Sequence, residues 1–122
     1  MQYRLGQREA RQILLDEGWT IMTYGGEVIS VYAYSDKGHT YFLPLSNFIL
    51  HTLDRNAATL TDEIGEVYYE FDPEQVAHIW LRDIRFRGGE ADFTELVDDA
   101  QTVERRLRSL FDAFKEEFDD AI

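Results

Sequence analysis

Hydrophobic and polar positions alternate along this chain in three different rhythms, and each predicts a different kind of element. From Gln7 to Glu17 the apolar residues Ala10, Ile13, Leu14 and Leu15 fall at helical spacing and Gly18 follows. This predicts a short helix with a glycine stop, Trp19 folding back on Leu14 as the apolar contact of the cap. Two β-rich runs come next, Trp19 to Tyr24 and Glu27 to Tyr34, joined by Gly25 and Gly26, which both tolerate positive φ. The arrangement predicts a tight hairpin. Ser35, Asp36, Lys37 and Gly38 then form a four-residue turn into a third strand from His39 to Leu45, so a three-stranded meander is expected. Pro44 cannot donate to a ladder and belongs at a strand end or edge, and Ser46 is placed to cap a short helix through Leu53, buried by Phe48, Ile49, Leu50 and Leu53.

After a polar loop from Asp54 to Thr61, the run Ile64 to Phe71 places Val67, Tyr69 and Phe71 on one face and Glu66, Tyr68 and Glu70 on the other. That period of two predicts a fourth strand. Asp72, Pro73 and Gln75 predict a single helical turn, and Ala77 to Phe86 a fifth strand on which Trp80, Ile84 and Phe86 alternate with Asp83, Arg85 and Arg87. Arg82 interrupts its apolar face, and Gly88 and Gly89 end it.

The strongest pattern is the last. Leu96, Ala100, Val103, Leu107, Leu110 and Phe114 recur at alternating steps of four and three, widened by Phe93, Val97, Phe111 and Phe118. One long amphipathic helix is predicted, opened by Asp92 with Glu95 three places on. The fold class expected is α+β: an about five-stranded, mostly antiparallel sheet, a short N-terminal helix and a long C-terminal helix, in one domain over 1–122. A helix from Phe93 to Asp120 would be about 42 Å long, whereas a globule of this size is about 35 Å across. The stripe therefore predicts either a kinked or frayed helix or a homodimer joined through Leu107, Leu110, Phe114 and Phe118.

Composition changes the picture mainly through charge. The chain has 122 residues, no cysteine, 44% apolar residues, 24 acidic against 12 basic side chains and a net charge of −12. Such a chain repels nucleic acid and anionic membranes, because affinity for both rests on cations that neutralise phosphates. Direct nucleic-acid and membrane binding are excluded on that ground, and the start of the chain lacks a secretory signal, so the protein is expected in the cytoplasm. The segment from Asp54 to Glu74 holds seven acidic residues and one arginine, Asp92 to Glu104 five acidic and no basic residues, and Asp112 to Asp120 five acidic residues and one lysine. Cross-strand pairing with Arg85 and Arg87 accounts for Glu66 and Glu70 without a partner. Glu116, Glu117, Asp119 and Asp120 are harder to explain, since they crowd a helix C-terminus where the macrodipole prefers cations.

No catalytic signature is found. His39, His51 and His78 are scattered and lack metal-ligand spacing, so no metal or cofactor is expected, and the glycine pairs lack the spacing of a phosphate cradle. No glycine elbow presents a serine nucleophile. The function expected is a non-enzymatic, protein-binding inhibitor whose carboxylates imitate nucleic-acid phosphates on a basic, nucleic-acid-binding partner. Glu66, Glu70, Asp98, Asp99, Glu116, Glu117, Asp119 and Asp120 are the candidate contacts. Phage-borne inhibitors of CRISPR and restriction systems share the small, acidic, cysteine-free composition, a likeness that rests on no motif. An immunity protein against a basic nuclease toxin would use the same physics, a dimeric chaperone or adaptor is the alternative favoured by the helical stripe, and halophilic adaptation or ordinary solubility would also produce such a surface.

Overall fold

The computed structural model describes residues 8–118. In chain order the elements are α1 (Ala10–Asp16), β1 (Thr20–Tyr24), β2 (Glu27–Tyr34), β3 (Thr40–Phe42), α2 (Asn47–His51), α3 (Ala57–Tyr69), α4 (Pro73–Phe86) and α5 (Phe93–Phe118). The class is α+β, with a three-stranded antiparallel sheet in the order β1-β2-β3 rather than five strands.

The N-terminal half folds as its local signals dictate. Gly18 adopts φ +88°, the N–H of Trp19 donates to the Leu14 carbonyl at 2.9 Å and that of Gly18 to Leu15 at 3.1 Å, which closes α1 with a Schellman cap. Trp19 is thereby buried at the junction of helix and sheet. Gly25 and Gly26 form the hairpin turn between Tyr24 and Glu27, and β2 carries one extra residue opposite the step from Met22 to Thr23. On β2, Val31 and Ala33 turn into the core while Tyr32 and Tyr34 turn to the other face, the alternation expected of a sheet covered on one side. Ser46 Oγ accepts from the N–H of Ile49 at 3.3 Å and caps α2 as predicted; Ile49, Leu50 and Leu53 bury the helix, but Phe48 is 64% exposed.

The two predicted strands in the second half are helices. α3 begins inside the stretch read as a polar loop and buries Leu60, Thr61, Ile64 and Gly65, a spacing of one face of a helix. Gly65 sits where α3 crosses α5: a methyl group there would lie 2.8 Å from the Phe111 ring. In α4 the buried set is Val76, Ala77, Trp80 and Leu81, again helical, and Arg82 lies on the exposed side rather than interrupting an apolar face. Asp72 and Pro73 do open a helix, with Asp72 Oδ1 accepting from the Glu74 N–H at 3.0 Å, but it continues for 14 residues instead of one turn. Gly88, at φ +87°, ends it with the same pair of hydrogen bonds that closes α1: Gly88 N–H to Arg85 and Gly89 N–H to Ile84. The glycine pair read as the end of a strand is a helix cap.

This correction removes the argument for a dimer through the last helix. α5 begins where Asp92 Oδ1 accepts from the N–H groups of Thr94 and Glu95, and at 26 residues it is about 39 Å long. Its stripe does not overhang uncovered, because α1, α3 and α4 all pack along it. Leu107, Leu110 and Phe114 are 0% exposed within the single chain, and Phe118 is half-buried with its ring 5.6 Å from that of Phe114. These three helices supply the cover that five strands would have lacked. No described helix is long and apolar enough to cross a membrane.

Candidate functional site

Once residues 57–69 form a helix, Glu63, Glu66 and Glu70 stand at i, i+3 and i+7 and share one face. That face borders a groove of about 680 Å³ between α3, the end of β3 and the first turn of α4, whose wall and floor also include Tyr41, Pro44, Val67, Phe71, Asp72 and Val76. The lining contains four carboxylates and no Lys, Arg or His. Two of the four have local work: Glu63 receives the Ser46 N–H and hydroxyl at 3.3 Å each, tying the start of α2 to α3, and Asp72 caps α4. Glu66 and Glu70 are exposed and make no ion pair among the described residues. The predicted pairing with Arg85 and Arg87 is absent, since Arg85 reaches Glu90 at 3.1 Å and Arg87 reaches Asp83 at 3.4 Å along their own helix and its C-terminal loop.

The floor is aromatic. The Tyr41 and Phe71 rings meet edge to face with centroids 5.5 Å apart, and Tyr41 also leans on Trp19 at 6.4 Å. Burial pushes the Tyr41 phenol up to about 12, so it stays neutral beside the carboxylates. Chemically, the groove offers negative charge above an apolar base. That combination suits a guanidinium or ammonium group whose aliphatic stem lies on the floor while its charged head meets the carboxylates.

The other predicted contacts do not join this surface. Asp98 and Glu116 are exposed on α5. Glu117 is largely covered and bound to Arg8 Nε at 3.1 Å, while Arg8 also holds Asp16 at 3.0 Å. A cation therefore compensates an acidic residue in the last turn of α5, which removes Glu117 from the unexplained group. Asp119 and Asp120 lie outside the described residues.

Asp99 is the clearest departure. It is 2% exposed, and its carboxylate accepts from the Ser35 hydroxyl, from the Lys37 N–H at 3.0 Å and from His39 Nδ1 at 2.8 Å. Desolvation pushes the carboxyl upward, but the hydrogen bonds from His39, Ser35 and the Lys37 backbone outweigh it and hold the group below the usual carboxylate range. Asp99 thus anchors the β2–β3 turn to α5 and does not belong to an anionic surface. His39 is half-buried and stacks on Trp80 at 4.9 Å. His78 is exposed on α4 and lies against the Phe93 ring.

Serine, histidine and aspartate meet here, but not as a nucleophile and its base. The Ser35 hydroxyl goes to the aspartate and not to the imidazole, and Ser35 Oγ accepts the His39 backbone N–H at 2.8 Å, so the buried serine is held on both sides. Among the described residues no three His, Asp or Glu side chains converge on a position that could hold a metal ion. Sequence reasoning found Glu66 and Glu70 but missed Glu63, Asp72 and the Tyr41–Phe71 floor; the i, i+3, i+7 spacing of the glutamates was the available signal, masked by the strand assignment. No family model matches this chain, and no characterised protein or solved structure shows significant similarity to it.

Proposed function

We propose that this chain is a non-enzymatic, acidic protein-binding inhibitor that occupies the basic, nucleic-acid-binding surface of a partner, its carboxylates standing where phosphates would lie. The observation that carries the reading is the α3 groove, where Glu66 and Glu70 stand without a cation partner among the described residues, beside Glu63 and Asp72 over an aromatic floor. Anionic groups without internal partners can neutralise arginines or lysines of another protein, and their field raises the encounter rate with a basic surface. An anti-defence protein acting on a CRISPR or restriction nuclease is the biological setting this physics favours. An immunity protein against a nuclease toxin differs only in its target.

Titration with an oligo-arginine peptide, followed by fluorescence anisotropy, tests the site. Reversing both Glu66→Lys and Glu70→Lys is expected to weaken binding by at least about tenfold, and added salt to weaken the wild-type complex as the Debye length contracts. The control reverses Glu95→Lys and Asp98→Lys on α5, an equal change in net charge away from the groove, and is expected to stay within about twofold. Equal losses from the two pairs would reduce the effect to general charge and remove the groove from the proposal. Binding indifferent to salt would remove the mimicry itself.

A further inference from the structure

The sheet has two edges, and the fold treats them differently. At β3 one outward group is taken: the Trp80 indole of α4 donates to the Thr40 carbonyl at 2.8 Å, beside a groove that lies between the two elements. At β1 no described element pairs with the outer side. The direction of its backbone groups follows from the ladder. Tyr24 and Glu27 flank the two-residue hairpin turn, Thr20 stands opposite Tyr32, and Val31 is turned toward β3 because its carbonyl accepts from Leu43. Thr20, Met22 and Tyr24 therefore face β2, and the N–H and C=O groups of Ile21 and Thr23 point outward.

Open edges invite further strands, and proteins commonly blunt them with Lys, Pro or inward charge. β1 reads Thr-Ile-Met-Thr-Tyr, with none of these, and Met22 and Tyr24 are exposed on it. Its surroundings are equally unusual for this chain. Between Glu17 and Asp54 the only fully charged side chains are Glu27, Asp36 and Lys37, although 30% of the whole chain is charged. The acidity is concentrated in the helices that follow, and the sheet is the charge-poor layer.

We propose that β1 pairs antiparallel with β1 of a second copy, joining the two three-stranded sheets into one of six strands. Two chains that each carry −12 repel through any surface rich in carboxylates, so the face on which they can meet is the one from which charge is missing. An antiparallel strand meeting its own copy across a two-fold axis is self-complementary by symmetry. The register that satisfies all four outward groups sets Ile21 opposite Thr23 of the partner subunit and brings the two Met22 side chains together across the axis as a non-hydrogen-bonded pair. A contact between strands of five residues is small, so the dimer is expected to form reversibly in the micromolar range. The inference does not rest on the proposed function, and it uses a surface distinct from the α3 groove.

Light scattering across low-micromolar to near-millimolar concentration is expected to show the mass rising from that of one 14.3 kDa chain toward twice that value. Met22→Glu, which brings like charges together at the axis, is expected to weaken association by at least about tenfold. Phe86→Glu adds the same charge at a residue 90% exposed on α4 and is expected to leave it unchanged. Hydrogen exchange on the wild-type protein supplies the second measurement: the Ile21 and Thr23 amides, without partners among the described residues of one chain, are expected to gain protection as concentration rises. A wild-type mass that stays at one chain throughout would overturn the proposal. So would a dimer that survives Met22→Glu, or one that forms without protecting these two amides.

Discussion

Replacing Asp99 by alanine is expected to destabilise the fold by about 3 kcal/mol, because three donors lose a buried, ionised acceptor and a hydrogen bond to a charged group contributes roughly 1.5–3 kcal/mol. The loss stays below the sum of the three. Lys37 is exposed and His39 half-buried, so water can serve them, and only the Ser35 hydroxyl is left stranded. For a chain of this length the melting temperature should fall by roughly 10 °C. The effect carries a pH signature. The Asp99 carboxyl is held below its ordinary value in the folded protein, so the folded state binds this proton less readily than the unfolded state does. Its contribution is complete above the unfolded pKa, at about 3.9, and disappears as pH falls through the lower folded value. Thermal melts of wild type and Asp99→Asn should differ most near neutral pH and converge toward the acid end. A difference that grows as pH falls would mean that the carboxylate is not the species that stabilises the turn.

The other large effect is expected at Phe114. This ring is 0% exposed, stands near the C-terminal end of the long stripe of α5 and packs against Phe118, so Phe114→Ala should remove about 3–5 kcal/mol through lost burial and the cavity left behind. A loss of that size is a large share of the roughly 5–15 kcal/mol that holds a domain of this kind together. Denaturant unfolding of the variant, read by circular dichroism, should show a midpoint shift that does not depend on protein concentration, because the ring is covered by its own chain. A shift that shrinks as concentration rises would show instead that a second chain completes this part of the core. Phe118→Asp, at the half-buried end of the stripe, should be milder.

These two positions show how the sequence both guided and misled. Asp99 sits among five acidic residues between Asp92 and Glu104, and its neighbours give no sign that it differs from Asp98. Helical phase alone turns Asp99 inward, and its partners Ser35, Lys37 and His39 lie sixty or more residues away in the chain. In the same way, the dimer expectation was sound arithmetic on an incomplete list of helices. The stripe does need cover over its whole length, and α3 and α4 provide it.

What the sequence by itself determined are the features in which neighbours in the chain are also neighbours in space. The Schellman cap at Gly18, the hairpin at Gly25 and Gly26, the turn closed by Gly38, the Ser46 cap and the whole course of α5 follow from φ preferences, short-range hydrogen bonds and a long unambiguous period. Residues 57–86 were not legible in that way. Val67, Tyr69 and Phe71 satisfy a period of two, and β-branched and aromatic residues favour strands only as surfaces that fit a pleat. Tertiary structure decided the matter: as helices, these segments place Leu60, Ile64, Ala77 and Trp80 against α5 and the sheet and so cover an apolar stripe that two more strands would have left open. That same choice turned Glu63, Glu66 and Glu70 onto one face and made an acidic groove where the spacing of Glu66 and Glu70 alone had suggested one face of a strand.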